Sequence, residues 1–252
     1  MNAVKVRKLI IGEGMPKICV PIVENRRTEI LKMAKEVVNS SADLVEWRAD
    51  WFESVFDLKV VKEVAAELRE ILGELPLLFT FRTKAEGGER EIEPVQYREL
   101  LLAMASASGI DMIDVEAFFG EDTTQLIYDL KEKGVVVVGS NHDFEGTPPQ
   151  EEIIRRMCYM QDIGADILKM AVMPQQKSDV VTLMEATKKM VSEYAKHPVV
   201  TMSMSEMGIA SRLEGQLFGS AVTFGALKKT SAPGQIDVEK LKKGLEKVNN
   251  LV

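Results

Sequence analysis

A lysine and a histidine inside otherwise apolar stretches are the residues of this 252-residue chain best suited to chemistry. Lys169 lies in "ADILKMAV", and His142 directly follows "VVVVGSN". A lysine kept out of water or close to other cations loses its proton more readily, and the neutral amine can attack a ketone to form a Schiff base. A histidine can transfer protons near neutral pH, which proton abstraction requires. The two residues together indicate covalent amine catalysis assisted by a base.

Whether Lys169 gives up its proton depends on the charges around it. Cations favour the neutral amine and carboxylates favour the ammonium ion. The candidate cations are Arg48, Arg82 and Arg212, and the opposing carboxylates are Glu46 and Glu116. Structural roles are the alternatives: Lys169 can pair with a carboxylate or extend its stem to water, and His142 can be a hydrogen-bonded structural residue. The net effect on Lys169 stays open at this point.

The elements that would position these residues recur with a regular spacing. Eight short apolar or β-branched runs begin about 29 residues apart on average, which is the length of one strand–helix unit. These predicted strands cover residues 17–23, 43–50, 76–83, 110–117, 134–141, 165–172, 198–205 and 219–226.

Most segments between the runs have the periodicity of an amphipathic helix. Three apolar stripes at helical spacing are Ile30, Met33, Ala34 and Val37; Val61, Val64, Ala65, Leu68 and Leu72; and Tyr97, Leu100, Leu101 and Met104. Pro94 suits the first position of a helix, and Gly134 and Gly164 fall where a helix should end before a strand. The segment after the seventh run instead favours a long loop or a short helix.

Eight alternating units in 252 residues predict a (β/α)8 TIM barrel, an α/β fold, with residues 1–252 forming a single domain. The N-terminal "MNAVKVRKLIIGEG" predicts a β-hairpin, which we expect to close the bottom of the barrel. A doubly wound open sheet is the alternative. It is disfavoured because the chain has neither a Gly-x-Gly-x-x-Gly after its first strand nor a Gly-Lys-Ser/Thr phosphate loop.

Polar residues collect at the ends of the runs, where a barrel of this kind carries its catalytic groups. They are Glu46, Arg48, Arg82, Asp114, Glu116, His142 and Lys169. Lys169 and His142 end neighbouring strands, so we expect them at matching height, flanking one substrate. Asp114 and Glu116 could hold Mg²⁺, but pairing with the arginines at the mouth is favoured. His197 precedes the seventh strand, at the opposite end, and is interpreted as structural.

The composition excludes several classes of function. Hydrophobic residues make up 46% and charged residues 28%, as in a globular enzyme, and a net charge of −7 without a long basic run argues against nucleic-acid binding. No stretch reaches the roughly 18 apolar residues of a membrane span, and the N-terminus lacks a signal-peptide core. Cys19 and Cys158 lack metal or redox spacing and are interpreted as inert core thiols. We therefore expect a cytoplasmic protein with no metal or other cofactor and no nucleic-acid or membrane partner.

Sequence patterns along essentially the whole chain resemble the type I 3-dehydroquinate dehydratase family, the Schiff-base enzymes of the shikimate pathway. The matching segments are "GEGMPKICV", "EWRAD", "LLFTFRTKAEGGE", "DMIDVEAF", "SNHDFEGTP", "GADILKMAVMPQ", "TMSMSEMGIASRLEGQLFGSAVTFGA" and "SAPGQI". Each is modest alone, but their order and spacing together are highly specific.

The resemblance implies roles for individual residues. Lys169 corresponds to the Schiff-base lysine, His142 to the general acid/base and Glu86 of "EGGE" to the carboxylate that helps to orient the histidine. The implied substrate-binding residues are Glu46, Arg48, Arg82, Arg212, Ser231 and Gln235. Pro21 is a departure, because many members have a serine there that helps to hold the substrate, and proline supplies neither a hydroxyl nor an N–H.

The resemblance further implies dehydration of 3-dehydroquinate to 3-dehydroshikimate and water by a homodimer, as a step of aromatic amino acid biosynthesis. The loop "KKTSAPGQ" would serve as a lid. Two alternatives remain. Another Schiff-base barrel lyase, such as an aldolase, would use the same lysine to break a carbon–carbon bond, whereas a non-catalytic barrel that binds a small carboxylate would not need Lys169 or His142.

Overall fold

A computed structural model describes residues 2–250 and contains eleven strands and nine α-helices in that range. The strands are β1 (Val4–Val6), β2 (Leu9–Ile11), β3 (Lys17–Ile22), β4 (Leu44–Arg48), β5 (Leu77–Thr80), β6 (Met112–Glu116), β7 (Val136–Asp143), β8 (Ile167–Val172), β9 (Val199–Ser203), β10 (Val222–Ala226) and β11 (Ile236–Asp237). The helices are α1 (Arg27–Val37), α2 (Leu58–Leu72), α3 (Pro94–Ala105), α4 (Thr123–Glu132), α5 (Gln150–Asp162), α6 (Lys177–Lys189), α7 (Ile209–Leu213), α8 (Gly215–Phe218) and α9 (Val238–Asn249).

Strands β3 to β10 run parallel in chain order and curl into a barrel, as the eight runs predict. Each strand pairs with the next along the chain from β3 to β9, and β10 pairs with β3. The ring closes between β9 and β10, where the backbone N–H of Ala221 donates to the carbonyl of Val199 at 2.8 Å. The fold is therefore the expected (β/α)8 barrel.

Alternate residues of each strand face two separate apolar layers. In β3, Ile18, Val20 and Ile22 face the helices, whereas Cys19 faces the barrel axis. The inner layer joins Cys19 to side chains of the other strands, including Leu44, Leu78, Met112, Val138, Ile167, Val200 and Val222. These residues lie toward the N-terminal ends of their strands. They therefore form an apolar plug at that end of the barrel, and the polar residues lie above it.

The helices bury the apolar stripes that the sequence predicts. At the start of α2 the side chain of Asp57 accepts the backbone N–H groups of Lys59 and Val60, which satisfies two donors that a helix start leaves free. Pro94 is the first residue of α3, where its missing N–H costs nothing. Gly134, with φ of +83°, lies just beyond the end of α4, in the conformation that favours glycine there.

The N-terminal hairpin closes the bottom of the barrel, as expected. Strands β1 and β2 pair antiparallel, and Val6 and Ile11 pack into the inner apolar layer. Arg7, at the turn of the hairpin, donates to Asp111 at 2.7 Å and so joins the hairpin to the start of β6. The hairpin therefore keeps water from reaching the barrel axis from below.

The end of β7 differs from the sequence-based prediction, whereas the segment after β9 agrees with it. The predicted end of β7 at Gly139–Asn141 is wrong, because the strand continues to Asp143. Gly139 does not end the strand: a Cβ there would lie 2.8 Å from the Cβ of Ala165, so glycine permits close packing beside β7. The segment after β9 forms the short helices α7 and α8, as predicted.

Pro21 lies where the pairing between β3 and β10 ends. β3 pairs with β10 only as far as Cys19, although β3 continues to pair with β4 through Ile22. A proline has no N–H with which to extend a ladder, so the upper part of β10 pairs with β11 instead. Among residues 2–250, no helix combines the length and the apolar character that crossing a membrane would need.

Candidate active site

A cavity opens at the C-terminal ends of the strands and contains about 430 Å³ of space that no protein atom fills. The charged and polar residues that line it are Glu46, Arg48, Arg82, Glu86, His142, Lys169, Ser231 and Gln235. Its apolar lining is formed by Phe144, Ala171, Met202, Met204, Phe224 and Ala232, with Gly87 at the edge. Eight of the nine predicted site residues therefore surround one cavity, and Arg212 lies behind its wall.

Lys169 lies at the bottom of this cavity, directly above the apolar plug. Its ammonium group is 3.3 Å from Oε1 of Glu46 and 3.3 Å from Oδ2 of Asp114, and it lies 4.7 Å from the centre of the Phe224 ring. The hydroxyl of Thr80 donates to the same oxygen of Glu46 at 2.9 Å. The amine is thus held between two carboxylates, with 5% of its side chain exposed.

His142 lies one inward-facing position nearer the mouth than Lys169. In the pairing of β7 with β8, Ser140 is opposite Lys169 and His142 is opposite Ala171. The prediction that Lys169 and His142 lie at the same height is therefore wrong. The reason is the register of the two strands: Lys169 is the third of the six residues of β8, whereas His142 is the seventh of the eight residues of β7. This offset leaves room between the two side chains for a substrate above the amine.

Glu86 holds both the ring and the backbone of His142. Its Oε2 atom is 2.9 Å from Nδ1 of the ring and accepts the backbone N–H of the same residue at 3.0 Å. Burial, together with the nearby cations Arg82, Lys169 and Arg48, lowers the pKa of His142 well below its usual value. The imidazole is therefore neutral at pH 7 and can accept a proton.

Glu86 itself lies among other acidic groups. Burial, followed by repulsion from Glu116, raises its pKa to about 8, even though Arg82 and the side chain of Asn141 favour the ionised form. Asn141 donates to Oε1 of Glu86 at 2.8 Å, and its own oxygen accepts from Arg156 at 3.0 Å. A chain of hydrogen bonds thus fixes the carboxyl group that faces the histidine.

Arg82 joins the acidic groups beneath this pair. Its guanidinium is 2.9 Å from Asp114, 3.0 Å from Glu116 and 3.3 Å from Glu86. Burial opposes its charge, but the three carboxylates outweigh burial and raise its pKa well above the ordinary arginine value. Asp114 and Glu116 are thus buried partners of a mouth arginine, as predicted, and Arg82 lies between carboxylates that would otherwise repel one another.

The lid loop (residues 228–235) covers the cavity from the side of β10. The side chain of Gln235 donates to the hydroxyl of Ser231 at 2.8 Å and accepts the backbone N–H of Ser231 at 2.8 Å. Gly234 packs against Ser205 so closely that a Cβ would lie 2.0 Å from the Ser205 carbonyl oxygen. Ser231 and Gln235 thus both line the cavity.

Arg212 lies on α7 and does not itself line the cavity. Its guanidinium donates to the carbonyl of Pro233 in the lid loop at 3.1 Å and lies 3.9 Å from the sulfur of Met202. Its Nε atom is buried without a hydrogen-bond partner among the described residues, and burial lowers the pKa of Arg212 to about 10. A buried cation without a carboxylate partner is suited to bind an anion that arrives from outside.

The glycine loop (residues 83–90) carries Glu86 into position. Gly87 has φ of +84°, and a Cβ at this residue would lie 2.3 Å from the ring of Phe144. A Cβ at Gly88 would lie 1.9 Å from the carbonyl oxygen of Arg82. The positive φ of Gly87 favours glycine, and so does the close approach of Gly88 to the backbone. The double glycine therefore lets the loop fold back tightly onto the end of β5.

Other residues of the site were missed or had no predicted role. Thr80, Asp50, Ser140 and Phe224 contact the charged residues but are not among the predicted site residues. Thr80 and Phe224 face inward in their runs, so alternation along the strand could have found them. Met202 and Met204 also line the cavity, and Asp143 pairs with Arg156 at 3.0 Å.

The residues expected to be inert lie outside the cavity. Cys19 is fully buried in the inner apolar layer, and burial raises the pKa of its thiol well above the usual value. Cys158 is only partly buried, on α5. His197 precedes β9, at the opposite end of the barrel from His142. Within residues 2–250, no group of three or more histidine, cysteine or acidic side chains is arranged to hold a metal ion.

Comparisons with known proteins agree with this geometry. The model of a family described as "Type I 3-dehydroquinase" matches residues 18–251. A 3-dehydroquinate dehydratase of Clostridioides difficile is 49% identical over 94% of both chains, and one of Clostridium novyi is 49% identical over the full length of both. Curated relatives are thus matched along nearly their whole length.

Solved structures give the same result. The crystal structure of a type I 3-dehydroquinate dehydratase from Clostridium difficile with covalently modified comenic acid is 47% identical, with a TM-score of 0.96 over 100% of this chain and 99% of that chain. A 3-dehydroquinate dehydratase from Geobacillus kaustophilus is 39% identical, with a TM-score of 0.96 over 99% and 97% of the two chains. The chain therefore belongs to the type I 3-dehydroquinase family.

Proposed function

We propose that the protein dehydrates 3-dehydroquinate to 3-dehydroshikimate through a Schiff base on Lys169. The observation that carries this proposal is the arrangement of two groups of residues at one cavity: Lys169 with its two carboxylates, and His142 with Glu86. The substrate is a cyclic β-hydroxy ketone that bears a carboxylate. The ketone, the C2 hydrogen, the C1 hydroxyl and the carboxylate each have a proposed partner among the site residues.

The first step joins the amine of Lys169 to the C3 ketone. Nζ must release a proton before it can attack, and it lies 3.3 Å from two carboxylate oxygens, one on Glu46 and one on Asp114. Condensation expels one molecule of water and leaves an iminium ion, which can accept the electrons released at C2. The apolar plug beneath Lys169 keeps bulk water away from the lower side of this bond.

His142 carries out the proton transfers. As a neutral base it removes the C2 proton, and the electron pair moves into the iminium to give an enamine. His142 then delivers a proton to the C1 hydroxyl, which leaves as water while the enamine returns to the iminium. A positioned acid or base of this kind contributes roughly 10²–10⁴-fold to the rate. Hydrolysis of the iminium consumes one water, releases 3-dehydroshikimate and restores the amine.

The remaining predicted residues would bind the substrate. Arg212 is the proposed partner of the substrate carboxylate, because its buried guanidinium has no carboxylate of its own and matches one in a two-pronged geometry. Arg48, Ser231 and Gln235 supply polar groups around the upper part of the cavity. Pro21 has no hydroxyl to add, so these residues must supply the contacts that a serine makes in other members.

Borohydride reduction in the presence of 3-dehydroquinate tests the proposal. The wild-type protein should form a covalent adduct on Lys169 and should produce an ultraviolet-absorbing enone, whereas the Lys169→Ala variant should do neither. An adduct of equal yield on Lys169→Ala would reject the mechanism. Identification of the product separates dehydration from an aldolase reaction, because only dehydration keeps the carbon skeleton of the substrate intact.

We also propose that the protein is a cytoplasmic homodimer. The family resemblance supports a dimer, and so does an apolar groove between α6 and the short helices α7 and α8. Val181 and Met207 are among its exposed apolar side chains. Light scattering during gel filtration should give twice the mass of the 28.1 kDa chain. Cell fractionation tests the compartment.

A further inference from the structure

Asp50 is a fully buried carboxylate that immediately follows the strand carrying Glu46 and Arg48. It lies in a short 3-10 turn, Ala49–Trp51, directly after β4. Its two oxygens accept from Nε and Nη2 of Arg48, each at 2.8 Å. These two parallel hydrogen bonds fix the plane of the guanidinium, which a single hydrogen bond would not do.

The pair also determines which side of Arg48 faces the lid loop. With Nε and Nη2 turned to Asp50, Nη1 donates to the carbonyl of Ser231 at 3.2 Å. Burial opposes the charge of Arg48, but the hydrogen bonds and charge of Asp50 raise its pKa above the ordinary value. Of the five N–H groups of an arginine, three are thus engaged by Asp50 and Ser231, which leaves two for the cavity.

The same carboxylate holds the glycine loop. Oδ1 of Asp50 accepts the backbone N–H of Arg82 at 3.3 Å, and Oδ2 accepts that of Glu89 at 3.2 Å. Arg90 donates to the backbone carbonyl of Asp50 at 3.1 Å. These contacts lie at both ends of the segment that carries Glu86. Asp50 therefore connects the substrate-side arginine to the loop that orients the proton-transferring histidine.

We propose that Asp50 is the positioning residue for both Arg48 and the glycine loop. The inference rests on the proposed dehydration of 3-dehydroquinate, because it assigns Asp50 an effect on that reaction. Asp50 does not line the cavity, so it acts only through other residues. An asparagine in its place would keep the shape but turn an N–H donor toward N–H groups that need an acceptor, so Arg48 and the loop would both lose their fixed position.

A buried carboxylate can also serve stability alone, and the chain contains a matched control for that role. Asp111, at the bottom of the barrel, accepts from Arg7 at 2.7 Å, from Arg69 at 3.0 Å and from the backbone N–H of Leu77 at 2.8 Å. It therefore combines arginine and backbone donors as Asp50 does, but far from the cavity. The variants Asp50→Asn and Asp111→Asn compare the two sites directly.

Steady-state kinetics with 3-dehydroquinate provide the test. Asp50→Asn should raise KM at least tenfold through Arg48 and lower kcat several-fold through the glycine loop. Asp111→Asn should lower the melting temperature but leave KM and kcat within twofold of the wild type. A folded Asp50→Asn protein with KM and kcat within twofold of the wild type would overturn the inference. Absence of turnover by the wild-type protein would instead reject the proposed function.

A second comparison separates the two actions of Asp50. In an Arg48→Met background no guanidinium is left to position, so adding Asp50→Asn should change KM by less than twofold while kcat still falls several-fold. This double variant buries no unpaired arginine, so it remains informative if Asp50→Asn alone folds poorly. Equal kcat values for Arg48→Met and the double variant would show that Asp50 does not position the glycine loop. A tenfold higher KM in the double variant than in Arg48→Met would show that Asp50 does not act on KM through Arg48.

Discussion

A single oxygen of Glu86 contacts His142 twice: Oε2 lies 2.9 Å from the ring Nδ1 and accepts the backbone N–H of the same residue at 3.0 Å. This double contact fixes the orientation of the imidazole relative to the strand. It also makes the tautomer of the histidine depend on the protonation of Glu86. An ionised carboxylate accepts a hydrogen bond from Nδ1–H, which leaves Nε2 free as a base. A protonated carboxyl instead donates a hydrogen bond to Nδ1, so that the ring proton lies on Nε2.

The rate should therefore depend on pH through Glu86. Because the pKa of Glu86 is raised to about 8, its carboxyl is largely protonated at neutral pH, and the tautomer with a basic Nε2 becomes dominant only as pH rises through that value. We expect kcat/KM to increase across pH 7–9 in the wild-type protein. The Glu86→Gln variant should lose this rise and should be slower by roughly tenfold. A profile that is unchanged in Glu86→Gln would show that another group titrates.

The protonation of Glu86 should also affect the stability of the protein. As pH rises, this contribution to stability should fall, whereas the rate should increase. The pKa of Glu86 is raised on folding, so between the ordinary glutamate value and about 8 the folded state holds a proton that the unfolded state has released. This contribution to stability is complete at low pH and is lost as pH rises through about 8. The melting temperature of Glu86→Gln relative to the wild type should therefore be higher at pH 9 than at pH 5. A difference that is independent of pH would contradict the raised pKa.

Removal of the histidine should separate bond formation from proton transfer. Lys169 contacts Glu46 and Asp114 but not His142, so the His142→Ala variant keeps the surroundings of the amine. Borohydride should still trap an adduct on Lys169 in this variant, while turnover falls by roughly 10²–10⁴-fold. Mass spectrometry of the trapped protein and a steady-state assay measure the two effects. Turnover near that of the wild type would remove His142 from the proposed role.

Arg212 should affect binding and stability in opposite directions. Arg212 is 1% exposed, its guanidinium contacts no carboxylate among residues 2–250, and burial lowers its pKa to about 10. Arg212→Met should raise KM by roughly 10²-fold, since a charged hydrogen-bonding partner of the substrate is lost. The same change should raise the free energy of unfolding by on the order of 1 kcal/mol, because an unpaired buried charge is removed.

Arg69→Met is the matched control for this trade-off. Arg69 is a partly buried arginine that does have a carboxylate partner, Asp111, at the bottom of the barrel. Its replacement should lower the melting temperature and leave KM unchanged. The interpretation of Arg212 would be contradicted if Arg212→Met lowered the melting temperature as much as Arg69→Met does, or if its KM stayed near the wild-type value.

Site residues that lie on the barrel strands could be predicted from the sequence, whereas those that depend on a folded loop could not. Lys169 and Arg82 interrupt or end apolar runs, and a parallel barrel brings such positions to one mouth, so strand patterns were sufficient. Glu86 lies in a loop and was identified only by the family resemblance. Asp50 was missed because its partners include the backbone N–H of Glu89, whose position depends on the folded loop.

The end of β7 shows a different limit. Glycine within a run normally indicates a strand end or a bulge, yet β7 continues through Gly139. Glycine is needed at this position because a Cβ would collide with Ala165. Only the packing of the segment before β8 against β7 reveals this reason. The expected height of the histidine was wrong for another reason: the register of β7 against β8, which the sequence does not show, places His142 opposite Ala171 instead of Lys169.

Replacing Gly87 should have two separate costs that can be measured. Its φ of +84° is unfavourable for alanine, and the added Cβ would lie 2.3 Å from the Phe144 ring. Gly134 has nearly the same φ, +83°, but a Cβ there would meet no atom within 4 Å. Gly134→Ala should therefore show the backbone cost alone, about 1–2 kcal/mol of stability, with normal kinetics.

Gly87→Ala should cost more stability than Gly134→Ala and should also lower kcat, because the clash moves the glycine loop that carries Glu86. Replacing Phe144 by alanine in the Gly87→Ala protein removes the clash but not the backbone strain. We therefore expect the double variant to return to the stability loss of Gly134→Ala and to regain part of its kcat. Chemical unfolding and steady-state kinetics measure both quantities. No recovery of kcat, measured against Phe144→Ala alone, would mean that contact with Phe144 does not set the position of Glu86.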